Sequence, residues 1–338
     1  MGVRLVAAVG LVMLCGAVGM SAQVRVWEGS LKLAASDEGP GNPTPAFSAS
    51  RFGPVYPYAM RDDLRGTESE HAWRAVFLEN EYLKCTILPD LGGHIYTCVD
   101  KINGVPMFYA NPTVKKALIS YRGAWAAFGD EFNFPVSHNW VTLSPVDFAT
   151  GTESDGSAWV TVGNRDRVEG MRWTVEMVLR PGSTVLEEHV TLSNPGNVRQ
   201  RYYWWNNGGV EVWNDSRIWY PMPFTIEEGK VVAWPERSWK GDMSVVGNQV
   251  NGAFARFGHG TRESYMGVYN LHTDAGIVHY ADHNEVPGMK IWTWGVDAEG
   301  LGWRKALSDD NSAYAEVQAG LFQDQDTYRF LDPQKTVR

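Results

Sequence analysis

Residues 172–180 read RWTVEMVLR, residues 181–182 are Pro-Gly, and residues 184–192 read TVLEEHVTL. In the first segment every second side chain is apolar, and the spacing of two recurs in the second segment. The apolar positions are Trp173, Val175, Met177 and Leu179, followed by Leu186, Val190 and Leu192. This two-residue period on both sides of a turn predicts two antiparallel strands joined as a hairpin.

The rest of the chain repeats this pattern of short alternating segments that end in turn residues. Asn103-Gly104, between residues 95–102 and 105–109, is the strongest short-range hairpin signal. Further strands are predicted at residues 199–212, 253–257, 265–270, 276–280, 290–294 and 313–318. Residues 39–57 are rich in Pro and Gly and predict a loop or an extended edge, and only residues 113–121 have a helical pattern. The predicted fold class is therefore mostly β, with many antiparallel strands in packed sheets.

The composition is that of a globular protein with an excess of acidic residues. The 338 residues include 30 Lys and Arg against 39 Asp and Glu, which gives a formal net charge of −9 at pH 7. Hydrophobic residues make up 44% of the chain and charged residues 20%, so a large core is expected and disorder is excluded over most of the length. Phosphate binding needs a basic face, and the sequence has no Lys/Arg cluster, so nucleic acid is excluded as a partner.

The first 22 residues have the pattern of a secretory signal peptide. Arg4 precedes an uncharged run at residues 5–18, and small residues follow up to Ala22. The run is shorter than the roughly 20 apolar residues of a membrane-spanning helix, so no permanent membrane anchor is expected. A lipidated Cys15 is the alternative, although the bulky Leu14 before it fits that reading poorly. We expect an exported protein, periplasmic or extracellular.

The other two cysteines lie on either side of a turn-like segment. The midpoint between Cys85 and Cys98 falls between Leu91 and Gly92, within PDLGG at residues 89–93. If the flanking strands pair as a tight hairpin, the two sulfurs face each other, and an oxidising compartment permits a cross-strand disulfide. A register slip of one residue would instead leave two small buried side chains that never meet. The sequence leaves both alternatives open.

Four segments combine aromatic rings with acids, amides or imidazoles, a composition suited to sugars. Aromatic faces cover the apolar side of a pyranose, while amides and carboxylates bind its hydroxyls. The segments are residues 125–140, 202–211, 279–283 with 290–295, and 314–320. Gly-rich nucleotide motifs, HExxH and GxSxG are absent from the sequence. The alternative for each segment is ordinary packing of its aromatics and solvation of its charges.

These segments supply the candidate site residues. Glu316, with Gln318 on the same strand face, has the arrangement of a general base, and Glu131 and His138 provide a second acid and an imidazole. The candidate substrate-binding residues are Trp125, Asn133, Asn206, Asn207, His279, Trp292, Trp294 and Gln318. No segment matches an EF-hand loop, and we expect neither a metal site nor a cofactor.

Six ordered motifs carry a family resemblance. They are LPDLGGHIY at 88–96, RGAW at 122–125, EFNFP at 131–135, WWNN at 204–207, WTWG at 292–295 and EVQAG at 316–320. Together they resemble an uncharacterised bacterial family of galactose-mutarotase-like domains, whose members are often joined to tetratricopeptide repeats. The resemblance implies an antiparallel β-supersandwich of galactose-mutarotase type over residues 73–338, preceded at residues 23–72 by an N-terminal extension and the first strands. Family members continue past the equivalent of residues 330–333, so we expect a missing closing strand or a truncated chain.

The resemblance also implies roles for particular residues. Mutarotases of this fold use a His as general acid on the ring oxygen and a Glu as general base on the anomeric hydroxyl, and EVQ at 316–318 is similar to the strand that carries the base. Glu316 would therefore be the base. Aldose mutarotases have an Asn-His pair where this chain has Asn206-Asn207, so the acid would be His138 or His279 from another segment.

Our leading hypothesis is an exported carbohydrate-active protein that acts at or near the anomeric carbon of a sugar or glycoside. Glu316 is the base, His138 the acid and Glu131 a second carboxylate, with mutarotation, epimerisation, elimination or glycoside cleavage as open reaction types. The alternative is a non-catalytic glycan-binding module that kept the cleft, and a third possibility is a structural domain whose aromatics form core. The partner is a sugar or oligosaccharide, and the sequence leaves the oligomeric state open.

Overall fold

The computed structural model describes residues 23–44, 55–227 and 229–338. The predicted signal peptide and most of the Pro/Gly-rich segment lie outside these residues. In chain order the first strands are β1 (Arg25–Glu38), β2 (Leu64–Glu79), β3 (Leu83–Leu88), β4 (His94–Asp100), β5 (Thr113–Val114), β6 (Lys116–Ser120), β7 (Gly123–Ala126), β8 (Asp130–Asn133), β9 (Asp147–Thr152), β10 (Ala158–Arg165), β11 (Arg172–Leu179), β12 (Leu186–Asn194) and β13 (Gln200–Tyr202).

The second half of the chain continues in the same manner. The strands are β14 (Trp205–Val212), β15 (Arg217–Trp219), β16 (Phe224–Glu227), β17 (Lys230–Ala233), β18 (Arg237–Ser238), β19 (Gly241–Asp242), β20 (Phe254–His259), β21 (Tyr265–Asn270), β22 (Ala275–Tyr280), β23 (Lys290–Thr293), β24 (Ala313–Gly320), β25 (Arg329–Leu331) and β26 (Lys335–Val337). A 3-10 turn at Val246–Asn248 and the helix α1 (Ala298–Leu307) complete the described elements.

Two large sheets form the architecture. A 12-stranded sheet has the order β17-β16-β20-β23-β24-β14-β8-β4-β3-β2-β1-β5, and a 5-stranded sheet has the order β26-β12-β11-β10-β9. Within the described residues, each neighbouring pair of the large sheet is antiparallel apart from β1 and β5. The prediction of a mostly β, antiparallel sandwich is confirmed.

The core lies between the two sheets. Trp173, Val175 and Met177, the alternating residues that predicted the hairpin, are at most 1% exposed on β11. Phe132 of the large sheet packs against Trp173, with ring centroids 6.2 Å apart. Burying side chains of this size stabilises the fold by about 1.5–3 kcal/mol each. We call the side of the large sheet that carries Phe132 the inner face.

The predicted hairpin of residues 172–192 is present as β11 and β12, in continuous antiparallel register. The chain also turns at Asn103-Gly104, where the Gly104 N–H donates to the Asp100 carbonyl at 2.8 Å. The returning segment forms only an isolated bridge between Val99 and Pro106. Proline lacks an N–H and therefore cannot extend a ladder.

The one helix expectation was wrong, and the helix that is present was not predicted. Residues 113–121 are not helical, because β5 pairs with β1 and β6 pairs with β7, so tertiary pairing overrides the local helical pattern. The described helix is instead α1, which the sequence reading missed. The Asp297 side chain caps it by accepting from the Gly300 N–H, a signal that was available in the sequence.

The last two strands of the described region are paired into sheets. β25 pairs with β13, and β26 pairs with β12 at the edge of the 5-stranded sheet. The predicted strand at residues 199–212 is divided between β13 and β14, which belong to different sheets.

Cys85 and Cys98 form the cross-strand disulfide that was one of the two alternatives. They are direct partners on β3 and β4, and both are fully buried. The tight turn between these strands contains Gly92 and Gly93, both with positive φ. This backbone region favours glycine, and a register shift of one residue between Thr86 and Ile87 brings Cys85 opposite Cys98.

We expect removal of this disulfide to lower the free energy of unfolding. In the Cys85→Ala/Cys98→Ala variant the loss should be about 2–4 kcal/mol, because the unfolded chain gains loop freedom. Denaturant titration measures it. Reductant in the titration should destabilise the wild-type chain by a similar amount and leave the variant unchanged. Equal stability of the two proteins without reductant would contradict the predicted contribution of the disulfide.

Candidate functional site

The centre of the large sheet brings the predicted acidic and amide residues onto one side. Asn207 on β14 is the direct partner of Glu131 on β8 and of Gln318 on β24. Glu316 lies two residues from Gln318, and Lys290 on β23 is the direct partner of Gln318. Direct partners and alternate residues of strands share a face. We call this side, opposite to the inner face, the carboxylate face.

Glu131 is held by three neighbouring side chains. Its Oε2 atom lies 3.0 Å from His138 Nδ1 and accepts a hydrogen bond of 3.2 Å from Trp125 Nε1. Its Oε1 atom accepts a hydrogen bond from the Thr142 hydroxyl. Because both of its oxygens have hydrogen-bond partners, the Glu131 carboxylate is held in one position beside His138.

The electrostatics of this pair keep Glu131 ionised and favour charged His138. Burial alone would raise the pKa of Glu131, but the charge and hydrogen bond of His138 hold that pKa well below its ordinary range. Burial also opposes charged His138, yet Glu131 and Glu316 raise the pKa of its imidazole above the ordinary value. Both shifts therefore favour an ion pair between the two side chains.

His138 follows β8 with a left-handed backbone, φ 47°. Residues other than glycine rarely adopt this region, and those that do are frequent at functional sites. The ring stands edge-on to Trp125 and Trp205, at centroid distances of 5.2 and 5.3 Å. Its side chain is 20% exposed. Since Nδ1 faces Glu131, Nε2 is the nitrogen left to contact a ligand.

Glu316 occupies the middle of the carboxylate face. Its Oε1 atom accepts a hydrogen bond of 3.1 Å from Asn207 Nδ2, and its Oε2 atom accepts one from Gln318 Nε2. Burial raises the pKa of Glu316, although the charges of Lys290 and His138 oppose this rise. A carboxyl group with a raised pKa can exchange a proton closer to neutral pH than an ordinary glutamate.

Lys290 brings a cation to the same face. It is 8% exposed, and its Nζ atom lies 3.4 Å from Gln325 Oε1 and 5.9 Å from the centroid of the Trp205 ring. Burial lowers the pKa of Lys290, whereas the charge of Glu316 opposes this effect. Lys290 and His138 together balance the charges of the two glutamates.

Aromatic side chains line this region. The Tyr314 ring packs against Trp294 at 5.2 Å and Trp125 at 6.4 Å, and the half-buried Trp292 lies 6.5 Å from it. The Tyr314 ring also crosses β14 at Gly209, where an added Cβ would lie 2.3 Å from its Cε2 atom. Glycine is therefore needed on β14 for the ring to lie over the sheet.

On β8 and β14, three polar atoms of the carboxylate face are buried without a hydrogen-bond partner in the described structure. They are the donors Asn133 Nδ2 and Trp205 Nε1 and the acceptor Asn207 Oδ1. Asn133 and Trp205 are direct strand partners, and Asn207 is two residues further along β14. A buried polar group without a partner costs about 1–3 kcal/mol, so this set is suited to a ligand that carries hydroxyls.

Two predicted residues lie elsewhere. Asn206 directly precedes Asn207 on β14 and so points to the inner face, where its Nδ2 atom lies 3.2 Å from Asp130 Oδ2 and from Glu188 Oε2. His279 is on β22, in a different sheet, and lines a cavity on the inner face. The structure therefore corrects the expectation that Asn206 and His279 join the site of Glu316.

The sequence reading missed three residues of the site. Lys290, Trp205 and Tyr314 were within the quoted segments but were not chosen as site residues. Strand alternation was the available signal, because Trp205 must share a face with Asn207 and Tyr314 with Glu316. For Lys290 no local signal existed, since its face is fixed only by its pairing with β24.

The chain matches the family described as domain of unknown function (DUF5107) over residues 50–334. It belongs to this family. A TPR-domain-containing protein from Parabacteroides distasonis has 25% identity and a TM-score of 0.84, over 94% of this chain and 54% of its own. This chain thus spans about half the length of that protein.

Galactose mutarotase-like proteins have the same fold. The protein from Clostridium acetobutylicum has 11% identity and a TM-score of 0.52, over 78% of this chain and 93% of its own. The protein from Lactobacillus casei has 11% identity and a TM-score of 0.50, over 78% of this chain and 97% of its own. The resemblance to the galactose-mutarotase fold is confirmed, and a TPR-domain-containing protein is among the structural neighbours.

Two features are absent from the described residues. No helix among them has the length and apolar character to cross a membrane. No group of three or more His, Cys, Asp or Glu side chains in the same residues is arranged to hold a metal ion.

The Glu131–His138 pair predicts a pH dependence of stability. His138 has a raised pKa, so its contribution is complete below the ordinary histidine pKa and is lost as pH rises through the raised value. Between about pH 6 and about pH 9, the wild-type chain should lose more unfolding free energy than His138→Asn. Asparagine tolerates the left-handed backbone at this position.

Denaturant titrations across this pH range test the prediction. Replacement of the exposed His71 by Asn is the matched control and should retain the wild-type slope. A slope in His138→Asn equal to that of the wild-type chain would refute an ionic contribution from this pair.

Proposed function

We propose that the carboxylate face binds a sugar and that Glu316 and His138 exchange protons with it at the anomeric carbon. The observation that carries the proposal is the convergence of Glu131, His138 and Glu316 beside three buried polar atoms without protein partners. The galactose mutarotase-like fold supports a sugar as the ligand.

The proposed chemistry divides the roles between the two residues. Glu316 removes the proton of the anomeric hydroxyl, while His138 donates its Nε2 proton to the ring oxygen. The bond between the anomeric carbon and the ring oxygen breaks, and the open-chain aldehyde forms. Ring closure on the other face of the aldehyde returns both protons. The pKa shifts support this assignment, because His138 is favoured as the acid and Glu316 exchanges protons more readily than an ordinary glutamate.

Glu131 acts as a positioning residue in this scheme. Its oxygens are occupied by His138, Trp125 and Thr142, which leaves it poorly placed to attack a sugar. It orients the imidazole and stabilises its charged form, as the carboxylate does in other acid–base arrangements. This favours proton exchange at the anomeric carbon over glycoside cleavage by two carboxylates.

The hydroxyls of the sugar would satisfy the buried polar atoms. Asn133 Nδ2 and Trp205 Nε1 would donate to sugar oxygens, and Asn207 Oδ1 would accept from a hydroxyl. The half-buried Trp292 offers an aromatic surface for the apolar side of the ring.

A non-catalytic glycan-binding function is the second candidate. The observation in its favour is that both oxygens of Glu316 already accept hydrogen bonds from the amides of Asn207 and Gln318. In that case Glu316 would orient the amides that bind the sugar and would not itself transfer a proton.

Rates of anomer interconversion distinguish the two functions. We expect the wild-type chain to accelerate interconversion of a freshly dissolved aldose, followed by polarimetry across a panel of monosaccharides. Glu316→Gln should lower the rate by about 100-fold or more, since positioned proton transfer contributes about 10²–10⁴-fold. Sugar binding, measured by calorimetry, should change little, and the exposed control Glu28→Gln should keep both activities.

Sugar binding and the rate of anomer interconversion together distinguish the two functions. Binding without acceleration in the wild-type chain would support the glycan-binding module and reject catalysis. Absence of binding to any sugar of the panel, in a folded protein, would reject both. Retained acceleration in Glu316→Gln would reject Glu316 as the base, and His138→Asn provides an independent test of the acid.

We also propose that the protein is exported after cleavage near Ala22. The sequence pattern of residues 1–22 supports this proposal, and a buried disulfide is consistent with an oxidising compartment. Expression of the full chain in a bacterial host should yield a periplasmic or extracellular protein whose mass lacks the first 22 residues. A cytoplasmic product that retains Met1–Ala22 would contradict the proposal.

A further inference from the structure

A large cavity lies on the inner face of the 12-stranded sheet, away from Glu316 and His138. Its volume is about 1010 Å³, and its walls come from β8, β12, β14, β22 and β24 together with the loop at residues 102–108. Apolar side chains such as Phe108, Val190 and Val317 form much of the lining. Small-molecule sites are typically concave, mostly apolar and about 300–1,000 Å³ in volume, with few convergent polar groups.

The ionisable side chains that line this cavity are acids and three imidazoles, those of His189, His272 and His279. Its acidic lining residues are Asp100, Asp130, Glu187, Glu188 and Glu211, and no Lys or Arg side chain is among the described residues that line it. Glu187 forms a salt bridge with Arg180, which does not line the cavity; Arg180 Nε and Glu187 Oε1 are 2.6 Å apart. His279 also lines the cavity, and burial lowers its pKa to about 4, so its ring is uncharged at neutral pH. The cavity is therefore complementary to a positive charge.

Three polar side chains converge where β8, β12 and β14 meet. Asn206 Nδ2 lies 3.2 Å from Asp130 Oδ2 and 3.2 Å from Glu188 Oε2. Asp130 is 1% exposed, and its Oδ1 atom has no hydrogen-bond partner in the described structure. Burial and the neighbouring Glu188 raise the pKa of Asp130. A buried pair of carboxyl groups is costly for the fold, and such pairs are concentrated at functional sites.

We propose that this cavity binds an organic cation with an apolar body, whose ammonium group is held by Asp130 and Glu188. The apolar walls cover the body of the ligand, and the buried Oδ1 atom of Asp130 gains a donor. Asn206, which does not belong to the carboxylate face, orients the two carboxyl groups. The site is separate from the proposed sugar site, because neighbouring residues of β8 and β14 point to opposite faces of the sheet.

Tryptamine and its neutral counterpart indole-3-ethanol test the charge requirement with the same aromatic body. We expect calorimetry at neutral pH to detect saturable binding of tryptamine by the full chain. Indole-3-ethanol should bind at least about tenfold more weakly, since hydrogen bonds to charged groups contribute about 1.5–3 kcal/mol. Equal affinity for the two probes, or no binding of tryptamine, would overturn the proposal.

Two variants locate the site. One variant, Glu188→Gln, changes the half-buried acid of the pair, and the other, Asp130→Asn, changes the buried acid. Each should weaken tryptamine binding by about tenfold or more. Glu28→Gln makes the same charge change on an exposed part of β1 and should bind as the wild-type chain does. Unchanged affinity in folded Glu188→Gln would overturn the proposal even if Asp130→Asn fails to fold.

A second copy of the chain is the competing occupant of this surface. Sedimentation velocity over a range of protein concentrations tests it. A monomer whose behaviour is unchanged by tryptamine supports the small-molecule site, whereas self-association that Glu188→Gln abolishes would show that the cavity is an interface.

Discussion

The alternation of side chains along β8 and β14 is the constraint on which both candidate sites depend. Glu131 and Asn207 point to the carboxylate face, while their neighbours Asp130 and Asn206 point to the inner face. One short pair of strands therefore supplies polar groups to two separate environments. A register slip of one residue would exchange the two sets and bury the wrong charges, so the pairing of β8 with β14 is strongly specified.

Each of three buried acids at the centre of the large sheet has different neighbours. Glu131 is ionised, because His138 and two further donors surround its oxygens. Glu316 is neighboured by Lys290 and two amides, and its pKa remains raised. Asp130 has the carboxyl group of Glu188 as its neighbour, and burial together with Glu188 raises its pKa above the ordinary value. The pKa values of nearby carboxyl groups are thus shifted in opposite directions, and perturbed pKa values are common at functional sites.

The family relationship and the fold do not by themselves choose an activity. Galactose mutarotase-like neighbours share the fold at 11% identity, and function depends on the groups grafted onto it. In this chain Asn207 occupies the centre of the carboxylate face and contacts Glu316 directly. The imidazole of the site is that of His138, in the loop after β8, and its contact with Glu131 holds it in place. The site therefore combines a strand-borne carboxyl group with a loop-borne cation.

The sequence by itself determined the β class and the hairpin at residues 172–192, because strand period is a local property. From side-chain chemistry it also identified Glu131, His138 and Glu316 as candidates for acid–base roles. It also left two outcomes for Cys85 and Cys98, which only the register of β3 and β4 decided. Tertiary structure alone brought Lys290 beside Glu316 and separated His279 from it, since these placements depend on which strands become neighbours. It likewise replaced the expected helix at residues 113–121 by strands, because long-range pairing contributes more than local propensity. Pairing between distant strands is a property of the whole chain and cannot be read from any one segment of it.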